Sequence, residues 1–387
     1  MTTMAKKELL KATKPRYLKA SKLEKGKILD EFCSNTGYNR KYAIIILQAK
    51  CDYYRVSREG RKARKKKYNS SVISVVIKIW ELLEFPCGVR LKPQLLPMAE
   101  ALERSGEIKI NSEIKISLSE IGAKTLDRRL GKEREIRRLN KHRGTTRHGS
   151  LLKSSIPIRI TNWNTSELGF MEMDTVAHNG GDPSGEFIYS LDMVEISTGW
   201  SEQRAVLGKG KNGVVNKVDN VKNSVPFNIS GLDSDSGSEF INWHMVKYCE
   251  ENKMYFTRSR PEMKNDNAYV EQKNYTHIRK WLGYGRYDTQ KQLDLINDLY
   301  ENELRLFNNF FRPVMKIGSK EKINNSICRK KYDTAKTPYQ RLIDSDQISK
   351  NDKDNLTKKY LLLNPAELKR KINEKIKIIK KSVKSQS

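Results

Sequence analysis

The sequence predicts an α/β fold, in which a mixed five-stranded sheet with flanking helices follows an all-α region. Apolar and polar residues alternate in GFMEMDTVAH, and two further apolar stretches follow it, so we expect an antiparallel meander of three strands. Beyond the meander, helical patterns alternate with two more strand patterns, which is typical of a mixed sheet covered by helices. The residues before about 150 show helical periodicity instead.

The five strands are predicted between residues 169 and 258. The meander comprises 169–178, 186–196 and 199–207, and the later strands lie in PFNISGLDSDSG and MYFTRS. Three helices are predicted in KNGVVNKVDNVKNSV, SEFINWHMVKYCEENK and NDNAYVEQKNYTHIRKWLG. In the tail we expect amphipathic helices over 289–311 and 364–381, and only a small irregular element over 331–343.

The all-α region contains two candidate helix-turn-helix units. In the first, Ser21 begins a helix, Gly37 ends it, and Asn39 begins a second helix. A helix, a short turn and a second helix form the layout of many DNA-binding motifs, although an ordinary helical hairpin has the same pattern. The second candidate is ISLSEIGAKTLDRRL, with Gly122 at its break.

A basic tract follows the first unit at once. Beside a DNA-binding motif such a tract favours phosphate contacts over a solvated linker. The residues that we expect to face DNA in this half of the chain are Asn39, Arg40, Lys41, Arg61, Lys62, Arg64, Lys65, Lys66, Lys67, Thr125, Arg128 and Arg129.

The charge of the chain is uneven. The formal net charge is +29, and residues 1–150 hold 36 Lys and Arg against 16 Asp and Glu. A positive excess in one region indicates a polyanionic partner, with nucleic acid favoured over an anionic membrane. We therefore expect a helical DNA-binding region over 1–150, a catalytic sheet over 160–312 and a basic C-terminal region over 313–387.

The composition favours a protein of the bacterial cytoplasm, associated with the nucleoid. No apolar stretch reaches the roughly 18 residues of a membrane span. The N-terminus lacks the apolar core of a signal peptide, and the five cysteines are scattered without a CxxC pair.

Three carboxylates stand on three different predicted elements. Asp174 lies on the first strand, Asp235 just past the fourth strand, and Glu271 in the first turns of a helix. If the first and fourth strands are neighbours, these side chains can converge at one edge of the sheet. The acidic loop DSDSGSEF is otherwise a solvated loop, which is the alternative interpretation.

The chemistry that uses such a cluster is phosphoryl transfer with two divalent metals. Two Mg²⁺ or Mn²⁺ ions stabilise the attacking and leaving oxygens of an in-line displacement. Hard cations prefer carboxylate oxygens, and three carboxylates suffice for two ions when one of them bridges. Nearby, Glu172 and Asp192 have the strand positions to approach the cluster, and for both we favour a structural role.

These residues carry a family resemblance. Asp174, Asp235 and Glu271, with 35 residues between the last two, resemble the DD(35)E signature of the retroviral-integrase superfamily. SDSGSEF resembles its (S/T)DNGSEF box, and RSRPEMKNDNAYVEQKN resembles its Pro-rich loop and Asn-Ala-x-x-Glu helix. The chain thus looks like a bacterial insertion-sequence transposase, with the resemblance strongest over 165–285.

The resemblance implies a ribonuclease H-like fold and a DNA transposase. Asp174, Asp235 and Glu271 would be catalytic and would bind two Mg²⁺ or Mn²⁺ ions. The activity would be nicking of transposon ends and transfer of the 3′-hydroxyl into target DNA, without a covalent protein intermediate. Its partner would be double-stranded DNA, bound by a homo-oligomer and not at a membrane. Around the catalytic site, the residues expected to contact DNA are Arg258, Arg260, Lys264, Asn267, Lys273 and Asn274.

Two features depart from the family pattern. Ser236 replaces the usual Asn of the box, and the zinc domain of retroviral integrases is absent from the sequence. A catalytically inactive DNA-binding regulator derived from a transposase is therefore the alternative function. A ribonuclease H-like nuclease acting on RNA is a third, which the two candidate helix-turn-helix units disfavour.

Overall fold

The structure, a computed structural model, describes residues 1–49, 67–137, 167–208, 210–235, 240, 242–259, 268–324 and 327–384. The contacts divide the chain into two compact units, Met1–Lys67 and Tyr68–Ser387. The sequence-based boundaries of the DNA-binding region, the catalytic sheet and the C-terminal region stay a prediction.

The first unit consists of three helices around one small core. They are α1 Thr3–Lys19, α2 Lys22–Thr36 and α3 Arg40–Gln48. Their buried apolar residues are Tyr17, Ile28, Leu29, Phe32, Ala43, Ile46 and Leu47. All three helices contribute residues to this core, so its burial requires the three of them together.

A three-residue turn joins α2 to α3. Gly37 ends α2 in the left-handed conformation with φ 67°, which glycine adopts at little cost. The Asn39 side chain then accepts the Lys41 N–H at 2.9 Å and so caps α3. Leu23 of α2 and Ile45 of α3 lie outside the small core and are 75% and 52% exposed.

Five helices begin the second unit. They are α4 Ser70–Leu82, α5 Gly88–Leu91, α6 Leu95–Arg104, α7 Ser112–Glu120 and α8 Ala123–Ile136. Gly88 packs so closely on α8 that a Cβ there would lie 2.2 Å from the Ala123 carbonyl oxygen. The α7–α8 pair is the second candidate helix-turn-helix, and Leu126 and Leu130 are buried as expected.

The mixed five-stranded sheet that the sequence predicts is confirmed. Its strands are β1 Phe170–Ala177, β2 Ile188–Glu195, β3 Ser201–Leu207, β4 Gly231–Ser234 and β5 Tyr255–Arg258. The order is β3-β2-β1-β4-β5, in which β1 to β3 are antiparallel and β4 and β5 run parallel to β1. This arrangement is consistent with the ribonuclease H-like fold that the resemblance implies.

Helices cover both faces of the sheet. On one face, α9 Lys211–Ser224 and α10 Trp243–Glu251 pack against Met171 and Met173 of β1. Because side chains alternate along a strand, Glu172 and Asp174 point to the opposite face.

That opposite face carries two long helical stretches. The first is α11 Ala268–Lys273, a π-helical segment Asn274–Arg279 and α12 Lys280–Leu282. The second is α13 Gln290–Leu299, a π-helical segment Tyr300–Leu304 and α14 Arg305–Phe310. They share a core with α4, α6 and α8, so this part of the all-α region belongs to the same compact unit as the sheet.

The edge strand β3 is closed by two asparagine side chains. Asn297 accepts the Ala205 N–H at 2.8 Å and donates to the Ala205 carbonyl at 3.0 Å. Asn309 makes the same pair of bonds with Ser201, at 2.9 Å and 2.8 Å. Two carboxamides thus take the place of a sixth strand along this edge.

The tail contains more regular structure than the sequence predicts. A hairpin of β6 Ile317–Asn324 and β7 Ile327–Tyr332 precedes α15 Pro338–Asp344, α16 Lys350–Leu362 and α17 Pro365–Lys384. The helix with Asn364 as its cap is found as expected, since the Asn364 side chain accepts the Ala366 N–H at 2.9 Å.

Candidate active site

Asp174 lies on β1 with its carboxylate held from two directions. One oxygen, Oδ2, accepts the Asn274 side-chain N–H at 2.6 Å. The other, Oδ1, accepts the Thr175 N–H at 2.7 Å. The first bond joins β1 to the helical stretch that carries Glu271, because Asn274 follows Glu271 by three residues.

Asp235 directly follows β4, the strand that runs parallel to β1. Met173 pairs with Ser234 in the β1–β4 register, which brings the next residues of both strands to the same end of the sheet. Burial, and after it the nearby negative charge of Asp235, raises the pKa of Asp174 to about 7. The two carboxylates therefore come together as the strand order implies.

Glu271 lies in α11 and is exposed. Its helix packs on β1 and β2, and Asn274 ties the following turn to Asp174. Within the ranges that the structure describes, however, no three or more His, Cys, Asp or Glu side chains form a group that could hold a metal ion. The structure brings two of the three predicted ligands together and places the third on the adjoining helix.

The chemistry of the pair fits a divalent cation. Two carboxylates near each other in a partly buried setting repel, and a bound cation would relieve that repulsion. Their donors are hard oxygens, which Mg²⁺ and Mn²⁺ prefer.

A second buried acid, Asp192, lies beside Asp174 in the sheet. The two residues are direct partners in the β1–β2 register. Its Oδ1 accepts the Gln203 side-chain N–H at 2.9 Å, and burial raises its pKa to about 7. This agrees with the structural role that the sequence favours for Asp192.

Lys273 ends α11, two residues after Glu271, and its charge interacts with that of Asp192. Burial, and after it the positive charge of Arg312, lowers the pKa of Lys273 to about 7, while the negative charge of Asp192 opposes the change. The side chain is half-buried, whereas the sequence predicts a surface residue that reaches phosphate. Contact between Lys273 and DNA stays a prediction.

Glu172 and Asp233 are buried acids whose contacts the sequence could not specify. The Glu172 carboxylate accepts backbone N–H groups at the start of α11, from Tyr269 at 2.9 Å and Val270 at 3.2 Å. Asp233 is buried in β4, and its carboxylate accepts the Thr257 hydroxyl. The only sequence signal was their phase, since each lies two residues before a predicted ligand.

The predicted DNA-contacting residues differ in exposure. Those that are exposed are Asn39, Arg40, Lys41, Lys67 and Arg128. Thr125 and Arg129 are half-buried, and Arg129 donates to the Tyr68 carbonyl at 2.9 Å. Arg258 is 5% exposed within β5. The predictions for Arg61, Lys62, Arg64, Lys65, Lys66, Arg260, Lys264 and Asn267 lie outside the described residues, as does Ser236.

Comparison with known proteins gives one curated relative. It is uncharacterized protein y4rM of Sinorhizobium fredii (strain NBRC 101917 / NGR234), which is 32% identical over 324 residues. The match covers 84% of this chain and 91% of y4rM. The chain belongs to the y4rM family.

No protein-family model matches this member of the y4rM family. A solved structure that does match is the catalytic core domain of BIV integrase in crystal form I. It is 15% identical, and the match covers 46% of this chain and 95% of that one with a TM-score of 0.31. The fold assignment for the y4rM family member rests instead on the order and register of its own strands. In the part of the chain that the structure describes, no helix has the length and apolar character to cross a bilayer.

Proposed function

We propose that this protein is a DNA transposase with an integrase-like catalytic core. It would nick transposon ends and transfer the freed 3′-hydroxyl into target DNA. The observation that carries the proposal is the meeting of Asp174 and Asp235 at one end of the sheet, with the Glu271 helix tied to Asp174 through Asn274. Carboxylates from separate elements that meet at one end of a sheet suit phosphoryl transfer with two metal ions.

Asp174, Asp235 and Glu271 are the proposed ligands of two Mg²⁺ or Mn²⁺ ions. When bound, the ions would activate the attacking oxygen and stabilise the leaving oxygen at the scissile phosphate. Asn274 orients Asp174, because it holds Oδ2 at 2.6 Å and leaves the carboxylate little rotational freedom.

Duplex DNA is the proposed partner, in the bacterial nucleoid. Helix α3 presents Lys41, Ile45 and Gln48 on one exposed face, which suits a helix that enters the major groove. The net charge of +29 favours binding to the phosphate backbone. A homo-oligomer would hold two ends together for joining.

One observation favours the alternative of a catalytically inactive regulator. The acids of the described residues do not form a three-ligand group, and Glu271 is exposed. Such a protein would bind DNA through the same helices without cleaving it.

A cleavage assay separates the two functions. The full-length protein is incubated with Mg²⁺ and an end-labelled linear duplex carrying the DNA that flanks its gene. We expect wild-type protein to nick this duplex at defined positions and Glu271→Gln to bind it without nicking. Glu250→Gln, which removes an exposed acid on α10, is the matched control and keeps the activity. Binding without nicking by the wild type would support the regulator and overturn the transposase.

A further inference from the structure

Glu172 is a buried acid that the proposed reaction does not yet use. It lies on β1 two residues before Asp174, so both side chains point to the same face of the sheet. It is 1% exposed, and its backbone pairs with Asp233 of β4 and Val194 of β2. The strands on both sides therefore fix its position.

The Glu172 side chain reaches a helix almost a hundred residues away in the sequence. Its Oε2 accepts both the Tyr269 N–H at 2.9 Å and the Val270 N–H at 3.2 Å. Both groups lie in the first turn of α11, where backbone N–H groups have no partner within the helix. A carboxylate there also interacts favourably with the positive end of the helix dipole.

The helix carrying Glu271 is thus attached to β1 at two points. Glu172 holds the turn that begins it, and Asp174 holds Asn274 one turn later. Glu271 lies between these attachments. The bonds made by Glu172 and Asp174 therefore fix where this helix lies along β1 and how it is rotated about its own axis.

We propose that Glu172 is a positioning residue, which places Glu271 opposite Asp174 and Asp235 by clamping the first turn of α11 to β1. The inference rests on the proposed function for its catalytic consequence. The clamp itself is a matter of structure and can be tested without any activity. The role proposed for Glu172 is carried by the two bonds that its Oε2 accepts from backbone N–H groups, and it includes no metal binding.

Three substitutions separate the clamp from general loss of stability. Glu172→Ala removes the acceptor, whereas Glu172→Gln keeps the shape and one carbonyl acceptor. Glu195→Gln is the matched control, since Glu195 is also buried and accepts three backbone N–H groups, from Ser197 at 2.8 Å, Thr198 at 2.6 Å and Gly169 at 3.4 Å. None of these three groups belongs to α11.

The first measurement is amide hydrogen exchange of the full-length protein without metal or DNA. We expect Glu172→Ala to lose protection at Tyr269 and Val270, because local opening of that turn becomes easier. Glu172→Gln keeps part of that protection and Glu195→Gln keeps all of it. Unchanged protection at both amides in Glu172→Ala would overturn the clamp.

The second measurement is nicking of the flanking duplex as a function of Mg²⁺ and DNA concentration. We expect Glu172→Ala to lower kcat by about 10–100-fold and to raise the Mg²⁺ requirement, as loss of residues that orient metal ligands does. The KM for DNA stays unchanged, and Glu172→Gln recovers part of the activity. A general loss of folded protein would instead lower the active fraction at an unchanged Mg²⁺ requirement.

These measurements distinguish failure of the positioning role from failure of the proposed function. An active wild type with an equally active Glu172→Ala would overturn the positioning role alone. A wild type that binds but never nicks would overturn the proposed function, and with it the catalytic role of Glu172, while the exchange measurement still decides whether the clamp exists.

Discussion

At the scale of single residues, Asp174 shows what burial does to a carboxyl group. Its pKa is raised to about 7, first by burial and then by Asp235. The folded protein therefore holds a proton between about pH 4 and 7 that the unfolded chain releases. It follows that the metal-free protein loses stability as the pH rises through this window. Asp192, with a pKa also raised to about 7, acts in the same direction.

Replacing this carboxyl group should stabilise the metal-free protein. We expect Asp174→Asn to raise the free energy of unfolding by about 1–3 kcal/mol at about pH 8, since each pKa unit corresponds to roughly 1.4 kcal/mol. Near pH 4 the difference should vanish. Denaturant unfolding at both pH values measures this difference in the free energy of unfolding. Added Mg²⁺ should stabilise the wild type but not the variant. A less stable Asp174→Asn at about pH 8 would contradict the raised pKa.

The sequence predicted the positions of the site residues only where those residues lie on a strand or directly after one. The alternation of apolar residues placed Asp174 on the first strand and Asp235 after the fourth. The pairing of β1 with β4, which the sequence left open, is what brings them together. The contacts of Glu172, Lys273 and Arg258 depend on which helix covers the face, and one sequence does not show that.

At the scale of elements, the sheet owes its closed edge to two side chains of the α13–α14 stretch. Asn297 and Asn309 satisfy the outer backbone groups of Ala205 and Ser201 in β3. Ser201 and Asn309 are 108 residues apart in the sequence, so these bonds join distant parts of the chain.

Removing one of these asparagine side chains should destabilise the folded protein. We expect Asn309→Ala to lower the free energy of unfolding by about 1–3 kcal/mol, because it leaves a buried N–H and a buried C=O of Ser201 unsatisfied. Asn302→Ala is the control on the same helical stretch, since Asn302 is exposed and its side chain donates to Asp298 one turn earlier. Thermal unfolding compares the two, and equal losses would count against this account of the edge.

Strands and helices whose apolar residues recur at a regular spacing were predictable from the sequence, and elements without such a spacing were not. The strands β1 to β5 and the helix after Asn364 follow from alternation and from a cap. The hairpin β6–β7 and helix α16 were missed because their sequences are rich in charged residues with no apolar stripe. The π-helical segment after Glu271 gave no sequence signal either.

At the scale of the whole molecule, charge and compact structure divide the chain differently. The basic excess covers residues 1–150, but the compact units divide after Lys67. Apolar residues of α4, α6 and α8 belong to the same hydrophobic core as those of the α13–α14 stretch and of α17. Composition could not reveal this shared core, because it does not record which apolar faces meet.

The charge leads to a prediction about DNA binding by the full-length protein. We expect the affinity for duplex DNA to fall steeply with salt, since each neutralised phosphate adds about one unit to the slope of log K against log salt. Lys41→Gln should reduce that slope by about one. Lys247→Gln, which removes an exposed lysine paired with Glu251, should not. A flat salt response in a binding titration would refute the role of charge.

The central claim is that Asp174, Asp235 and Glu271 form one metal-dependent centre for DNA strand transfer. Its most direct measurement is the yield of covalently joined DNA when the full-length protein, Mg²⁺, the labelled flanking duplex and a plasmid target are combined. The account predicts joined product from the wild type and none from Asp174→Asn, Asp235→Asn or Glu271→Gln at equal DNA occupancy. No product from a wild type that binds the duplex, or equal product from the three variants, would contradict it.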